Sequence, residues 1–291
     1  MSLRVNYDSP SALRAFLDEH GLSLHKRFGQ NFLISPALRR RLVDALDIQA
    51  GDSVWEIGPG LGGLTALLLE RGAQVRAFEV DRGFCRILPE LFAEEGGFTL
   101  VAGDVLKTWQ SAPPAPYLLG NLPYTIAAVL IGNLIESKRL FSRMVLTVQQ
   151  EVAERILAGP GSKSYSSLAV LCASVYTVKA LPVMKPASFY PIPHVNSRGI
   201  RFDQRTDYDP AEYPVFFPLL VRHLFSARRK TIKNNLSVLH AQRPELHKGI
   251  DDAAHWTNRL LETCHLSGSA RVEELSLHDF LRLAQTINTL S

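Results

Sequence analysis

Along the first part of the chain, short continuous apolar runs alternate with segments whose apolar positions recur every third or fourth residue. The runs predict buried strands and the periodic segments amphipathic helices. SPSALRAFLDEHG (9–21) predicts a helix capped by serine and closed by Gly21. A basic, aromatic stretch follows, LHKRFGQNFLIS (24–35), then a helix over 36–48 that opens on Pro36. Strands are predicted over 52–58, 73–81, 97–104, 116–121 and 143–149. Helices are predicted over 62–72, 82–95, 126–137 and 150–159. Residues 167–181 predict a helix running into a strand, and 196–203 a last strand. Repeated strand–helix units of this length predict an α/β domain whose mostly parallel sheet carries helices on both faces.

The pattern changes after residue 203. DQRTDYDPAEYP (203–214) is polar, contains two prolines and predicts a linker. Residues 215–239 predict one long helix, and shorter helices follow around 251–264 and 276–288. The expected organisation is an α/β domain over 1–205 and a small all-α domain over 206–291. A length of 291 residues suits two domains, and 46% apolar residues can fill their cores. The longest nearly uncharged apolar run, IAAVLIGNLI (126–135), is far shorter than the ~20 residues a membrane helix needs. The N-terminus carries no apolar signal region. Cys85, Cys172 and Cys264 are odd in number and far apart, which argues against a disulfide framework or a metal site. A soluble cytoplasmic protein without a metal is the expectation.

Candidate chemistry concentrates at the ends of the predicted strands. EIGPGLGGLT (56–65) joins the first sheet strand to its helix, and Gly58, Gly60 and Gly63 fit G-x-G-x-x-G. Glu79 ends the next strand, where a carboxylate accepts from a ribose diol in nucleoside-binding folds. The alternative is a glycine-rich turn without a ligand. Glu56, just before the loop, suits a cationic aminoacyl group better than a pyrophosphate. This favours S-adenosylmethionine over a nicotinamide dinucleotide. Asp104, after the third strand, can accept from an adenine amine or cap a helix, and the two roles are compatible.

GNLPYTI (120–126) follows the fourth strand, beside the expected position of a reactive methyl group. An exocyclic amine is a poor nucleophile because its lone pair is delocalised into the ring. It needs acceptors on its N–H bonds more than a strong base. The side-chain oxygen of Asn121 and the carbonyl of Leu122 can supply two. Pro123 keeps the preceding residue extended and so fixes that carbonyl. Tyr124 can stack on the base. Positioning and preorganised dipoles then do the catalysis. A nicotinamide oxidoreductase would leave Asn121–Tyr124 unexplained.

The sequence resembles the small-subunit ribosomal RNA adenine-N6,N6-dimethyltransferases (the KsgA/RsmA family). KRFGQNFL (26–33), EIGPGLGGLT, FEVD (78–81), NLPY (121–124), QQEVAERI (149–156), ASFYPIPHVNS (187–197), RRKTIKNNL (228–236) and RVEELSLHDF (271–280) carry the likeness in family order. It implies a class I, Rossmann-like methyltransferase fold with a seven-stranded sheet and a reversed final strand. It also implies a monomer that acts on small-subunit rRNA in a pre-assembled small ribosomal subunit. S-adenosyl-L-methionine would dimethylate two adjacent adenosines in the 3′-terminal hairpin loop, leaving S-adenosylhomocysteine. By motif, Asn31 and Leu33 would close over the cofactor, Gly58 would touch its aminoacyl part, Glu79 its ribose and Asp104 its adenine. Asn121 would serve both cofactor and target amine, and Phe189 would stack on the target base opposite Tyr124. An aromatic between prolines can equally plug a loop. Two departures are Ser166, where the family usually has glycine, and Arg198–Gly199, where it has small apolar residues. A non-catalytic RNA-binding assembly factor and a methylase of large-subunit rRNA are the other readings. RRKTIKNNL disfavours the latter.

The net charge is only +4, so the position of the basic residues matters more than their sum. Lys26 and Arg27 precede FGQNFL and are candidates for RNA contact. Arg39, Arg40 and Arg41 predict a solvated helix face. In the predicted helix over 215–239, Arg222, Arg229 and Lys233 share a face, with Arg228 and Lys230 beside them. Such a stripe suits phosphate contact with strong salt dependence.

Overall fold

A computed structural model describes residues 4–25, 29–209, 213–247 and 250–290, without the side chains of Tyr124, Thr125 and Leu290. The chain forms two compact units, Met1–Ala153 with Thr177–Gln204, and Glu154–Tyr176 with Arg205–Ser291.

The first unit opens with α1 (Pro10–Glu19), β1 (Phe32–Leu33) and α2 (Pro36–Leu46). Ser9 and Ser35 cap the two helices, each followed by proline at the first helical position. Then come β2 (Ser53–Ile57), α3 (Thr65–Glu70), β3 (Gln74–Glu79), α4 (Arg82–Leu91), β4 (Phe98–Ala102), α5 (Val105–Thr108), β5 (Tyr117–Asn121), α6 (Tyr124–Glu136), β6 (Arg143–Gln149) and α7 (Gln150–Leu157), which belongs to the second unit from Glu154 on. After α8 (Ser167–Val175) the chain adds β7 (Tyr176–Met184), β8 (Phe189–Tyr190) and β9 (Ser197–Gln204). The seven-stranded sheet has the order β4-β3-β2-β5-β6-β9-β7. The strands β4 to β6 run parallel, and β9 runs antiparallel to β6, with Thr147 opposite Gly199. The expected reversed final strand is therefore β9. A separate pair joins β1 to β8, with Leu33 opposite Phe189.

The inner strands are buried on both faces because helices cover both sides. Leu42, Val43 and Leu46 of α2 and Leu68 of α3 pack with Val54, Val75, Leu119 and Val145 of the sheet. Leu13, Phe16 and Leu17 of α1 pack with Phe84, Ile87 and Leu88 of α4. Both layers leave the carboxyl ends of β2 to β5 to loops.

The second unit contains α8, α9 (Phe217–Ser226), α10 (Ile232–Gln242), α11 (Ala253–Thr263) and α12 (Leu277–Leu290). Two expectations change here. Residues 154–176 belong to this unit and not to the α/β domain expected over 1–205. The cause is α8, which is buried on all sides and packs against α9 and α12. Ser166, the first departure from the family pattern, caps this helix through Ala169 N–H. Second, the helix expected over 215–239 is two helices. Thr231 caps α10, and the buried Asn235 donates its side-chain amide to the carbonyls of Ala227 and Lys230, which closes the break.

Gly199, the other departure, sits where β9 passes close to β7 and α2. A Cβ there would lie 2.9 Å from Leu181 Cβ and 3.2 Å from Leu42. Gly199→Ala should lower stability by about 1–3 kcal/mol through overpacking. Urea unfolding measures this, and an unchanged midpoint would show that β7 can give way.

Candidate active site

The carboxyl ends of β2 to β5 and the segment before α2 enclose a cavity of about 260 Å³. Of the residues expected to hold a cofactor, Asn31, Leu33, Gly58, Gly60, Glu79, Asp104 and Asn121 line it, as do Leu122 and Pro123. Residues far apart in sequence meet there because parallel strands put all their carboxyl ends on one edge.

The glycine loop is shaped by backbone requirements. Gly58 has φ +70° and donates its N–H to Phe78 O at 2.9 Å. Gly60 has φ +59°, and a Cβ there would lie 2.9 Å from the Phe32 ring. Its N–H donates to Glu79 Oε2 at 3.2 Å. Glu79 Oε1 accepts from the N–H groups of Val80 and Asp81 at 2.9 and 2.8 Å. Burial pushes the Glu79 carboxyl above the usual range, and these backbone donors oppose the shift. The result is a carboxylate pinned at the cavity wall, with lone pairs left for a diol.

Asp104 caps α5, accepting from Leu106 N–H at 3.0 Å through Oδ1. Capping occupies one oxygen, so the carboxylate can also serve a ligand.

Asn121 ends β5. Its Nδ2 donates to Asn31 O at 2.9 Å, across ninety residues of chain. One of the two N–H bonds of the amide is thus used, which orients it and leaves Oδ1 as an acceptor. Leu122 N–H donates to Thr147 O at 2.9 Å, and Pro123 is extended (φ −55°, ψ 142°) at the start of α6. A Cβ on Gly29 would lie 3.2 Å from Pro123 Cβ, so the segment before β1 rests on this turn.

Two candidates stand apart from the cavity. Glu56 is only 1% exposed and does not line it. It accepts from Thr65 Oγ1 at 2.6 Å behind the glycine loop, and burial pushes its carboxyl up to about 7. Phe189 is 2% exposed and lies in the core with Leu33, Leu42 and Met184. The expectation that it stacks on a substrate base is therefore corrected. Pairing of β8 with β1 turns its ring into the core, and it plugs a loop.

Of the basic candidates, Lys26 and Arg27 lie outside the described residues, as does the side chain of Tyr124. Arg222, Arg229, Lys230 and Lys233 are exposed in the second unit. The break between α9 and α10 ends the single continuous stripe expected for them. Arg228 is tied to Glu273 Oε2 at 3.0 Å and to Lys163 O at 3.1 Å. Among the described residues no cluster of His, Cys, Asp or Glu suits a metal ion.

Tyr7 and Arg39 are among the lining residues that no sequence motif marks as part of a site. Nothing around Tyr7 marks it. Arg39 was hidden in a run of three arginines, of which Arg40 and Arg41 are exposed.

This geometry has counterparts. Residues 21–275 match the family of ribosomal RNA adenine dimethylases. The chain belongs to that family. Similar to this dimethylase is the ribosomal RNA small subunit methyltransferase A of Treponema denticola, 42% identical over 98% of this chain and 97% of the relative. The protein of the same name from Treponema pallidum is 41% identical over 98% of each. Among solved structures, a dimethyladenosine transferase from Plasmodium falciparum superposes with a TM-score of 0.76 at 26% identity, over 88% of this chain and 97% of that one. The 23S rRNA methyltransferase ErmE shares the fold, with a TM-score of 0.63 at 21% identity over 88% and 99%.

The buried Glu56 makes the dimethylase sensitive to pH. In the unfolded chain its carboxyl ionises near 4.5, and in the folded chain near 7. Between those values the folded state holds a proton that the unfolded state has lost. Its contribution to stability therefore falls as pH rises through this window and is level above it. Glu56→Gln should flatten that slope in urea titrations of ligand-free protein from pH 4.5 to 7. An unchanged slope would mean that Glu56 is ionised in the fold.

Proposed function

We infer that this dimethylase transfers methyl groups from S-adenosylmethionine to the N6 amines of two adjacent adenosines in the 3′-terminal hairpin loop of small-subunit rRNA. The substrate is a pre-assembled small subunit in the cytoplasm, and the enzyme acts as a monomer. The Treponema relatives, similar over nearly their whole length, support the choice of subunit. The observation that carries the mechanism is the Asn121–Asn31 hydrogen bond, which leaves one amide oxygen at the cavity.

When bound, S-adenosylmethionine supplies an electrophilic methyl on a sulfonium. The residues around it supply the rest. Glu79 accepts from the ribose diol, and Asp104 from the adenine amine. Asn31 and Leu33 cover the ligand, and Gly58 lets the backbone approach its aminoacyl part. Asn121 Oδ1 and Leu122 O accept the two N–H bonds of the target amine and draw the nitrogen toward tetrahedral geometry. Pro123 fixes the Leu122 carbonyl. The proton leaves to water after the bond to carbon forms. After the first transfer one N–H remains, and one acceptor suffices. With Phe189 in the core, Tyr124 is the candidate for stacking on the target base. Exposed Arg229, Lys230 and Lys233 contact phosphate, with Arg222 beside them; Lys26 and Arg27 are further candidates. Arg228 braces the second unit.

Asn121→Ala should lower methyl transfer from labelled cofactor to undermethylated small subunits by about 10²–10³-fold, the usual cost of a lost preorganised dipole. Undiminished transfer would remove Asn121 from the mechanism. Joint replacement of Arg229, Lys230 and Lys233 by alanine should raise KM for the subunit, leave kcat nearly unchanged and flatten the dependence of binding on salt. A salt dependence equal to that of the unaltered protein would place the RNA contact elsewhere.

A further inference from the structure

Arg39 is a charged part of the cavity wall to which the methyl-transfer chemistry assigns no role. Its side chain is only 7% exposed. Nη1 donates to Tyr7 O at 3.2 Å and to Leu33 O at 2.7 Å, and Nη2 pairs with Asp8. The Tyr7 ring lies 5.7 Å from the guanidinium carbon, and the Tyr7 hydroxyl donates to Leu61 O at 3.1 Å in the glycine loop. A Cβ on Gly63 would lie 3.3 Å from the Tyr7 ring and 3.5 Å from Arg39 Cδ, so the loop packs closely on both.

A guanidinium carries more N–H donors than these contacts use. Its partner Asp8 is largely exposed, so water weakens the compensation of the buried positive charge. Along the same loop Gly60 meets the Glu79 carboxylate and Gly63 meets Arg39. The cavity therefore has acceptors at Glu79 and Asp104 and, in its wall beside Gly63, the side chain of the cationic Arg39. A complementary ligand carries hydroxyls and an amine in one part and a carboxylate in another.

We propose that Arg39 binds the carboxylate of the cofactor's aminoacyl end, with Tyr7 and Asp8 holding the guanidinium in place. The proposal rests on the methyltransferase reading. It gives the N-terminal segment around Tyr7 a part in ligand binding, because that segment fixes the cation. It also makes Leu33 a shared point, since its carbonyl is held by the same guanidinium.

Calorimetry tests this with two ligands, S-adenosylmethionine and decarboxylated S-adenosylmethionine. The second keeps the adenosine, sulfonium and ammonium and lacks only the carboxylate. The unaltered protein should prefer the first, and Arg39→Met should shrink that preference roughly ten- to hundredfold, as expected for a charged hydrogen bond. A preference unchanged in Arg39→Met, whatever loss the two ligands share, overturns the proposal and leaves Arg39 a structural tie. If Arg39→Met does not fold, Arg39→Gln decides: a reduced preference supports the contact and an unchanged one overturns it. Failure of the unaltered protein to bind either ligand would instead remove the methyltransferase reading, and this contact with it.

Discussion

The site depends on a constraint at the edge of the parallel sheet. Asn121 must donate to Asn31 O, because no other described contact ties the turn after β5 to the segment before α2 so directly. This bond has two consequences. It draws residues 29–33 across the strand ends, where Gly29 meets Pro123 and Leu33 pairs with Phe189. It also fixes the orientation of the amide, so that the oxygen is the atom left for a substrate. An exocyclic amine needs an acceptor, and the amide held by one N–H bond presents its oxygen as one.

Around this bond the charged groups divide by environment. Glu79 is buried yet held by three backbone N–H groups, which favour its ionised form against desolvation. Glu56 is buried with the hydroxyl and backbone N–H of Thr65 as partners, and burial pushes its carboxyl up to about 7. Burial raises both carboxyls at these neighbouring strands; Glu79 has three backbone donors opposing it, and Glu56 has Thr65. Arg39 adds the opposite charge from α2, placed by two carbonyls and an exposed aspartate.

Much of this was legible in the sequence where local pattern and tertiary outcome agree. The central strands β5 and β6 are nearly continuous apolar runs because helices cover both faces, and the glycine loop and NLPY turn follow strands as their motifs require. The failures occur where tertiary packing decides. The apolar periodicity over 215–239 continues across Ala227–Thr231, so nothing local reveals that Asn235 closes a break there. The segment 154–176 follows α/β units in sequence, and only the neighbours of α8 assign it elsewhere. Adjacent arginines on a helix point about 100° apart, so one of three can turn inward while the run reads as solvated. Phe189 is exposed or buried according to whether β8 pairs, and a two-residue strand leaves no periodicity to read.

The central claim is the site of methylation. Small and large ribosomal subunits that lack the modification can be incubated with the purified protein and S-adenosylmethionine, and dimethyladenosine mapped by reverse-transcription stops on both RNAs. Stops are expected at two adjacent adenosines near the 3′ end of the small-subunit RNA and none on the large. Stops confined to the large-subunit RNA, or none on either, would contradict it.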